Sequence, residues 1–235
     1  MSLTKGFDRT LHRSALLYLP FNEAVGVNGA TLKDIAQPHH LWSMGATGHD
    51  PAFVQLPSGL WVLQFSGAVV DYLTCTAANS QDFRFLTSTS FFTVVMWAKW
   101  TTFAANYTFI GRWSANKGWM FCLSPGVGYL WGLVNSSQSN IAAGSITDRV
   151  NIWTLVSMSR VAASTIRYYV NGVDMTALAN GGTPTDSNTI MRIGTSADDS
   201  QPYDGYMGIP RIWNRALSPR EHVEIFNRER HLFGV

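Results

Sequence analysis

Residues 165–170, Thr-Ile-Arg-Tyr-Tyr-Val, followed by Asn171-Gly172, constrain the fold more than any other stretch. Ile166, Tyr168 and Val170 fall on one side of a two-residue period; Thr165, Arg167 and Tyr169 fall on the other. That alternation is the mark of a half-buried strand. Asn-Gly favours the positive φ angles of a type I′ turn, so the strand must reverse there. A mostly apolar run, Ile152 to Ser159, opened by Trp153, precedes it across a short link, Val161–Ser164. The segment 151–172 therefore reads as two strands and two turns. Such a unit is not stable alone and needs a larger sheet to join.

The rest of the chain supplies that sheet. Phe91 to Trp100, Phe-Phe-Thr-Val-Val-Met-Trp-Ala-Lys-Trp, is β-branched and aromatic and apolar on both sides. A central strand, covered on both faces, has that composition. Further strands are expected at 14–21, around Leu41-Trp42 and Phe53-Val54, and at 61–65 and 69–74. Others are expected at 107–113, 119–123, 129–134, 141–143, 173–177, 189–193 and 206–213. Gly, Asn and Ser turns space many of them about 8–12 residues apart, the rhythm of an all-β protein. The one good helix lies at about 219–229. Ser218 is its N-cap, Pro219 suits the first helical position, and Glu221 completes a capping box. Val223, Phe226 and Arg230 are expected to share a packed face with Leu217. At 235 residues the chain suits one sandwich, with residues 1–13 as a polar arm and 14–235 as the domain.

Taken in order, several pieces resemble the laminin-G-like, concanavalin A-like lectin/glucanase family of jelly rolls. Leu17–Glu23 (LYLPFNE), Leu63–Gly67 (LQFSG), Asp71–Leu73 and Phe92–Lys99 (FTVVMWAK) match its N-terminal half. The Trp-led strand and hairpin ending Tyr-Val-Asn-Gly, then Met191–Ser196 (MRIGTS), then Tyr203–Asn227 (YDGYMGIPRIWNRALSPREHVEIFN), match its C-terminal half. The resemblance implies an all-β fold: a two-sheet antiparallel jelly-roll sandwich with one short C-terminal helix. It also implies calcium in some members, held by an Asp near Asp34 and by an acidic pair after the Asp-Gly at 204–205. Here Gly208-Ile209 replaces that pair, leaving Asp34 and Asp204 as the candidate calcium ligands. Calcium takes six to eight oxygens, so no cofactor is the expectation, with a weak calcium site as its alternative.

Charge excludes some functions. Only 14% of residues are charged and the net charge is +2, without the basic face that nucleic acid demands. No apolar run has the length of a signal peptide or a membrane span, so cytoplasmic synthesis and no membrane insertion are expected. Cys75 and Cys122 fit buried free thiols rather than a disulfide. Glycoside hydrolysis needs two facing carboxylates. The chain has four Glu, three of them on the C-terminal helix, and no strand with carboxylates at alternate positions. Enzyme activity is not expected. The loop 33–51 gathers Asp34, His39, His40, His49 and Asp50; their spacing follows no established ligand pattern, and a polar surface loop is expected over a metal site.

Aromatic residues carry the remaining signal, with 9 Trp, 8 Tyr and 13 Phe. Trp97, Trp153 and Trp213 stand where the resembled family buries its core. Trp42, Tyr107, Trp113, Trp119, Trp131 and Tyr203 stand in loops or at strand ends beside Asn, Ser and Gly, and are the candidate sugar-stacking rings. A cluster of two or three at one rim would mark a platform. The expected function is a non-enzymatic surface- or carbohydrate-binding module, or a structural one, most simply a phage-type virion surface protein. Its partners would be a glycan or cell-surface ligand, or neighbouring virion subunits in a homo-oligomer. A soluble lectin is the alternative.

Overall fold

A computed structural model describes residues 15–22, 31–124 and 128–235; the arm expected at 1–13 lies outside them. The chain begins with short strands: β1 (Ala15–Tyr18), β2 (Thr31–Lys33), β3 (Leu41–Met44), β4 (Ala52–Gln55), β5 (Trp61–Phe65) and β6 (Leu73–Cys75). Next come β7 (Phe92–Trp100), β8 (Tyr107–Ser114), β9 (Lys117–Leu123), β10 (Leu130–Val134) and β11 (Ser137–Ile141). The hairpin strands are β12 (Thr154–Ala162) and β13 (Thr165–Val170). They are followed by β14 (Val173–Asp174), β15 (Thr176–Leu178), β16 (Met191–Ile193), β17 (Gly205–Trp213) and helix α1 (Pro219–Glu229).

These strands make two antiparallel sheets. One runs β14-β13-β12-β7-β17-β5-β4, with β1 paired to the second half of β17. The other runs β15-β11-β10-β9-β8-β16-β6-β3-β2. The expected all-β jelly-roll sandwich with one C-terminal helix is the observed architecture.

Strand β7 explains its own composition. Phe92, Val94, Met96, Ala98 and Trp100 point between the sheets into the main core. Val95 and Trp97 point the other way, into a second core under α1 and the C-terminus. A strand covered on both faces is apolar at nearly every position, and the one buried polar residue, Thr93, is satisfied by the Ser159 hydroxyl and the Arg215 carbonyl. The hairpin behaves as its alternation requires: Ile166, Tyr168 and Val170 enter the main core. Asn171 and Gly172 take φ of 51° and 83°, as a type I′ turn demands. Tyr169, on the other face, is buried against the helix residue His222, with ring centroids 3.7 Å apart.

Ser218 caps α1 through the complete capping box with Glu221. Its packed face is partly the expected one: Leu217 and Phe226 pack in the core under α1, Phe226 stacked 5.9 Å from Trp97. His222 and Ile225 are buried, and Glu229 reaches in to Arg211 and Trp97, whereas Val223 is exposed. Residues 222, 225 and 229 follow the i, i+3, i+7 stripe, and Val223 lies off it. Two strand expectations also shift. Residues 67–70 form a turn, with the Asp71 carboxylate accepting the Ser66 N–H at 2.7 Å, so β6 begins only at Leu73. The polar run Ser137-Gln-Ser-Asn-Ile141 forms β11 because β10 supplies a complete hydrogen-bonding edge.

Gly208-Ile209 sits at a bulge in β17, with Ile209 at φ 49°. A Cβ at Gly208 would lie 2.9 Å from the Phe233 ring. The position is a packing seat for the C-terminal segment. Cys75 and Cys122 are buried free thiols, as expected, and burial pushes the Cys75 thiol up to about 12.

Candidate ligand cleft

The six rings proposed from sequence as sugar platforms divide into two groups. Trp42, Trp119 and Tyr203 are fully buried, and Tyr107 is 4% exposed. The expectation that these four are exposed is corrected. On β3, Leu41 takes the outward position, so the two-residue period sends Trp42 inward. The Trp119 indole N–H donates to the Phe83 carbonyl at 2.6 Å from inside the core. Tyr107 and Tyr203 meet edge-on at 5.9 Å under β17, and burial raises both phenol pKa values. A ring with no open face cannot stack on a sugar. Trp113 and Trp131 are instead brought together on the outer face of the second sheet, with Tyr129 and Leu133 around Met120 and Cys122. Trp131 is itself 9% exposed, while Trp113, whose indole N–H donates to the Asn135 carbonyl at 3.1 Å, and Tyr129 are half-buried, so this face offers two half-open rings.

A shallow, open concavity lies elsewhere, where sequence reading placed nothing. Gln81–Phe83 forms a 3-10 turn, and the chain then runs through Phe85 to Phe91 before entering β7. This path walls a cleft of about 460 Å³ with Leu16 of β1 and Asn214, just past β17. Phe85, at φ 51°, stacks face to face on Phe92 at 4.4 Å and closes the floor. Phe91 and Leu86 supply apolar wall; Gln81, Asp82, Arg84, Ser90 and Asn214 supply donors and acceptors.

The polar wall is braced from behind. Arg84 donates to the Gln81 carbonyl at 3.1 Å and to Asp186 at 3.2 Å. Arg112, buried to 1% exposure, donates to the other oxygen of Asp186 at 2.8 Å and to the Ser80 hydroxyl at 3.3 Å. The Arg112 hydrogen bond, backed by the Asn188 N–H and Arg84, holds the Asp186 carboxyl down at about 2. Arg84 is thus held in place before any ligand arrives, which lowers the ordering cost of binding. The clue in the sequence was mixed composition: Gln-Asp-Phe-Arg-Phe-Leu followed by Thr-Ser-Thr-Ser. It carries no periodicity, so no pattern argument reaches it.

The residues of loop 33–51 fall into two groups, Asp34, His39 and His40 in one and His49 and Asp50 in the other. Asp34 is buried; one oxygen accepts the backbone N–H groups of Tyr18, Ala36 and Gln37, and the other meets His40 Nδ1 at 2.9 Å. His39 and His40 both face Asp82. His49 bonds the Val69 carbonyl, next to Asp50 and Asp71, whose carboxyls burial raises. Asp204 accepts the Thr101 hydroxyl at the start of β17. Calcium is held by oxygen ligands, whereas Asp34 is ringed by nitrogen donors. Among the described residues neither Asp34 nor Asp204 joins a converging group of three His, Cys, Asp or Glu ligands. The oxygens of Asp34 are thus occupied by N–H donors rather than turned to an ion.

Comparison with known proteins completes the picture. Residues 70–221 match the family described as the concanavalin A-like lectin/glucanases superfamily. No curated protein matches the chain by sequence. Among solved structures, the binding domain of Paraclostridial Mosquitocidal Protein 1 superposes with a TM-score of 0.69 at 15% identity, covering 93% of this chain and 53% of that one. Botulinum neurotoxin type C, reported to get into cells through interaction with two ganglioside molecules, gives 0.65 at 18% identity over 93% and 52%. The binding domain of botulinum neurotoxin DC in complex with SialylT gives 0.65 at 15% identity over 92% and 51%. At these identities the likeness is one of fold, and this chain spans about half the length of each of those chains.

Proposed function

Because the chain belongs to the concanavalin A-like lectin/glucanases superfamily, we propose that it is a non-enzymatic glycan-binding module that takes a saccharide in the cleft between Gln81 and Asn214. One observation carries this reading: the cleft sets the Phe91 ring beside pre-braced polar groups, Arg84 foremost. Saccharides present an apolar ring face edged by hydroxyls, and sites for such ligands pair an apolar wall with a few fixed hydrogen-bonding groups. The ganglioside and SialylT partners named for the neurotoxin structures are of the same ligand class and support it by analogy of fold.

The test is a glycan array probed with wild type and Asn214→Ala, an exposed position on the cleft rim. Selective capture is expected, with Asn214→Ala about tenfold weaker, the loss of roughly 1.4 kcal/mol. Unchanged capture by that variant would remove the cleft from the account.

One observation favours catalysis. Asp50 and Asp71 lie beside His49, and burial, with a smaller push from the Asp50 charge, raises the Asp71 carboxyl. Captured glycans should therefore be assayed for cleavage, and none is expected. The virion-surface setting, with neighbouring subunits as partners, is carried forward as part of the proposal. It loses one docking segment: the C-terminal Phe233 is spent on this chain's own Trp97, stacked at 4.3 Å. Co-sedimentation with particles checks that setting.

A further inference from the structure

A second kind of ligand is indicated beside the cleft, at a cluster that the glycan reading does not use as a unit. Pro38 and His39 occupy the corner of a turn closed by the His40 N–H donating to the Gln37 carbonyl at 3.0 Å. The turn lets two consecutive imidazoles converge, with ring centroids 4.2 Å apart and planes at 59°. Both present Nε2 to the same atom, Asp82 Oδ2, at 3.0 Å from His39 and 3.3 Å from His40. All three ligand atoms lie within 4.8 Å of one another.

Counting protons at His40 makes the arrangement informative. Asp34 Oδ1 already takes three backbone N–H groups, and Oδ2 faces His40 Nδ1 at 2.9 Å with both side chains fully buried. A carboxylate only accepts, so Nδ1 carries the proton and Nε2 is left with its lone pair. That lone pair points at Asp82 Oδ2, which is also an acceptor. Two imidazole nitrogens and a carboxylate oxygen thus converge on one point, open to a cation.

We infer that His39, His40 and Asp82 form a binding site for a zinc-type divalent cation, with Asp34 orienting His40. Zinc binds imidazole nitrogen and carboxylate oxygen at about 2.0–2.2 Å in a tetrahedron, which sets neighbouring ligand atoms about 3.3–3.5 Å apart. The two Asp82 distances of 3.0 and 3.3 Å need only a few tenths of adjustment, and the third edge, between the two imidazoles, is within 4.8 Å and closes by rotation of the exposed His39 ring. The buried Asp34–His40 pair is the carboxylate–histidine arrangement that fixes the tautomer of a metal-binding imidazole. Packing of the His40 ring on Phe83, at 4.5 Å, holds its angle. The His39 and Asp82 side chains are 58% and 47% exposed, so an ion can enter from solvent, and water takes the fourth position. The donor set of two imidazoles and one carboxylate suits zinc and not calcium. Asp82 also lines the cleft, so the ion would sit on its rim.

The experiment is competition for zinc against a chromophoric chelator, using the whole chain, with cobalt(II) as a spectroscopic substitute. Wild type should bind one equivalent, and its cobalt form should show the intense visible absorption of a four-coordinate ion. His39→Ala and Asp82→Asn, both exposed and separable from folding by circular dichroism, should each weaken zinc by more than about tenfold. His231→Ala, an exposed histidine on another face, should bind as wild type does. No binding by wild type, or binding unaltered by His39→Ala and Asp82→Asn, would overturn the inference. Zinc bound without any glycan captured would leave this site standing and sink the glycan reading. Glycan captured without zinc would do the reverse.

Discussion

The single residues that define this molecule are those whose environment contradicts their usual chemistry. His222 is one. It is buried on α1 between the Tyr169 ring and the Ser159 hydroxyl, 3.3 Å from Nε2, with Glu221 and Asp174 as the charges nearby. Burial lowers its pKa from 6.5 to about 3, against the opposing pull of those two carboxylates. Between these values the unfolded chain takes up a proton that the folded chain refuses. Its contribution to stability is therefore complete above about pH 6.5 and is lost as pH falls toward 3. The full span is on the order of 5 kcal/mol. His222→Phe, which keeps a ring against Tyr169, should flatten urea midpoints measured from pH 7 to pH 4; an unchanged slope would show that other groups carry the acid sensitivity. At this scale the sequence was legible where backbone chemistry decides, as at Asn171, Gly172 and Ser218. It was illegible for Trp42 and Trp119, because a tryptophan beside polar neighbours reads the same whether its strand turns it inward or outward.

Among elements, β7 and the β12–β13 hairpin were legible because alternation, or its absence, follows directly from which faces are covered. The boundaries of β6, β11 and the α1 face were not. The α1 face is fixed by partners on other elements, Arg211 and Trp97, which hold Glu229; β6 and β11 are set nearby, by the Asp71 carboxylate and by the hairpin edge of β10, where composition carries no signal. The C-terminal segment belongs to this scale as well. Phe233 stacks on Trp97 at 4.3 Å and meets Trp153 at 4.9 Å, over the cradle left by Gly208. Phe233→Ala should cost about 3 kcal/mol, in line with other buried phenylalanines, and should lower the melting temperature without altering the oligomeric state. A tail used for docking would give the opposite pattern, an unchanged melting temperature with loss of assembly.

For the molecule as a whole, the sandwich was legible from ordered strand patterns, and the binding cleft was not. Its wall is an aperiodic stretch, Gln81 to Phe91, which acquires meaning only when β1 and the end of β17 bring Leu16 and Asn214 against it. The same holds for the His39–His40–Asp82 cluster, whose third member lies 42 residues from His40. The fold supplies two layers, and the proposed binding chemistry lies at the edge where their connections meet. The most direct test of the cleft assignment is a backbone amide NMR titration of labelled protein with the strongest glycan from the array. The account predicts that shift changes concentrate at residues 81–91 and at Asn214, with the Trp113 and Trp131 indole signals unmoved. Changes centred on Trp113, Tyr129 and Trp131, with residues 81–91 silent, would contradict it and move the site to the outer face of the second sheet.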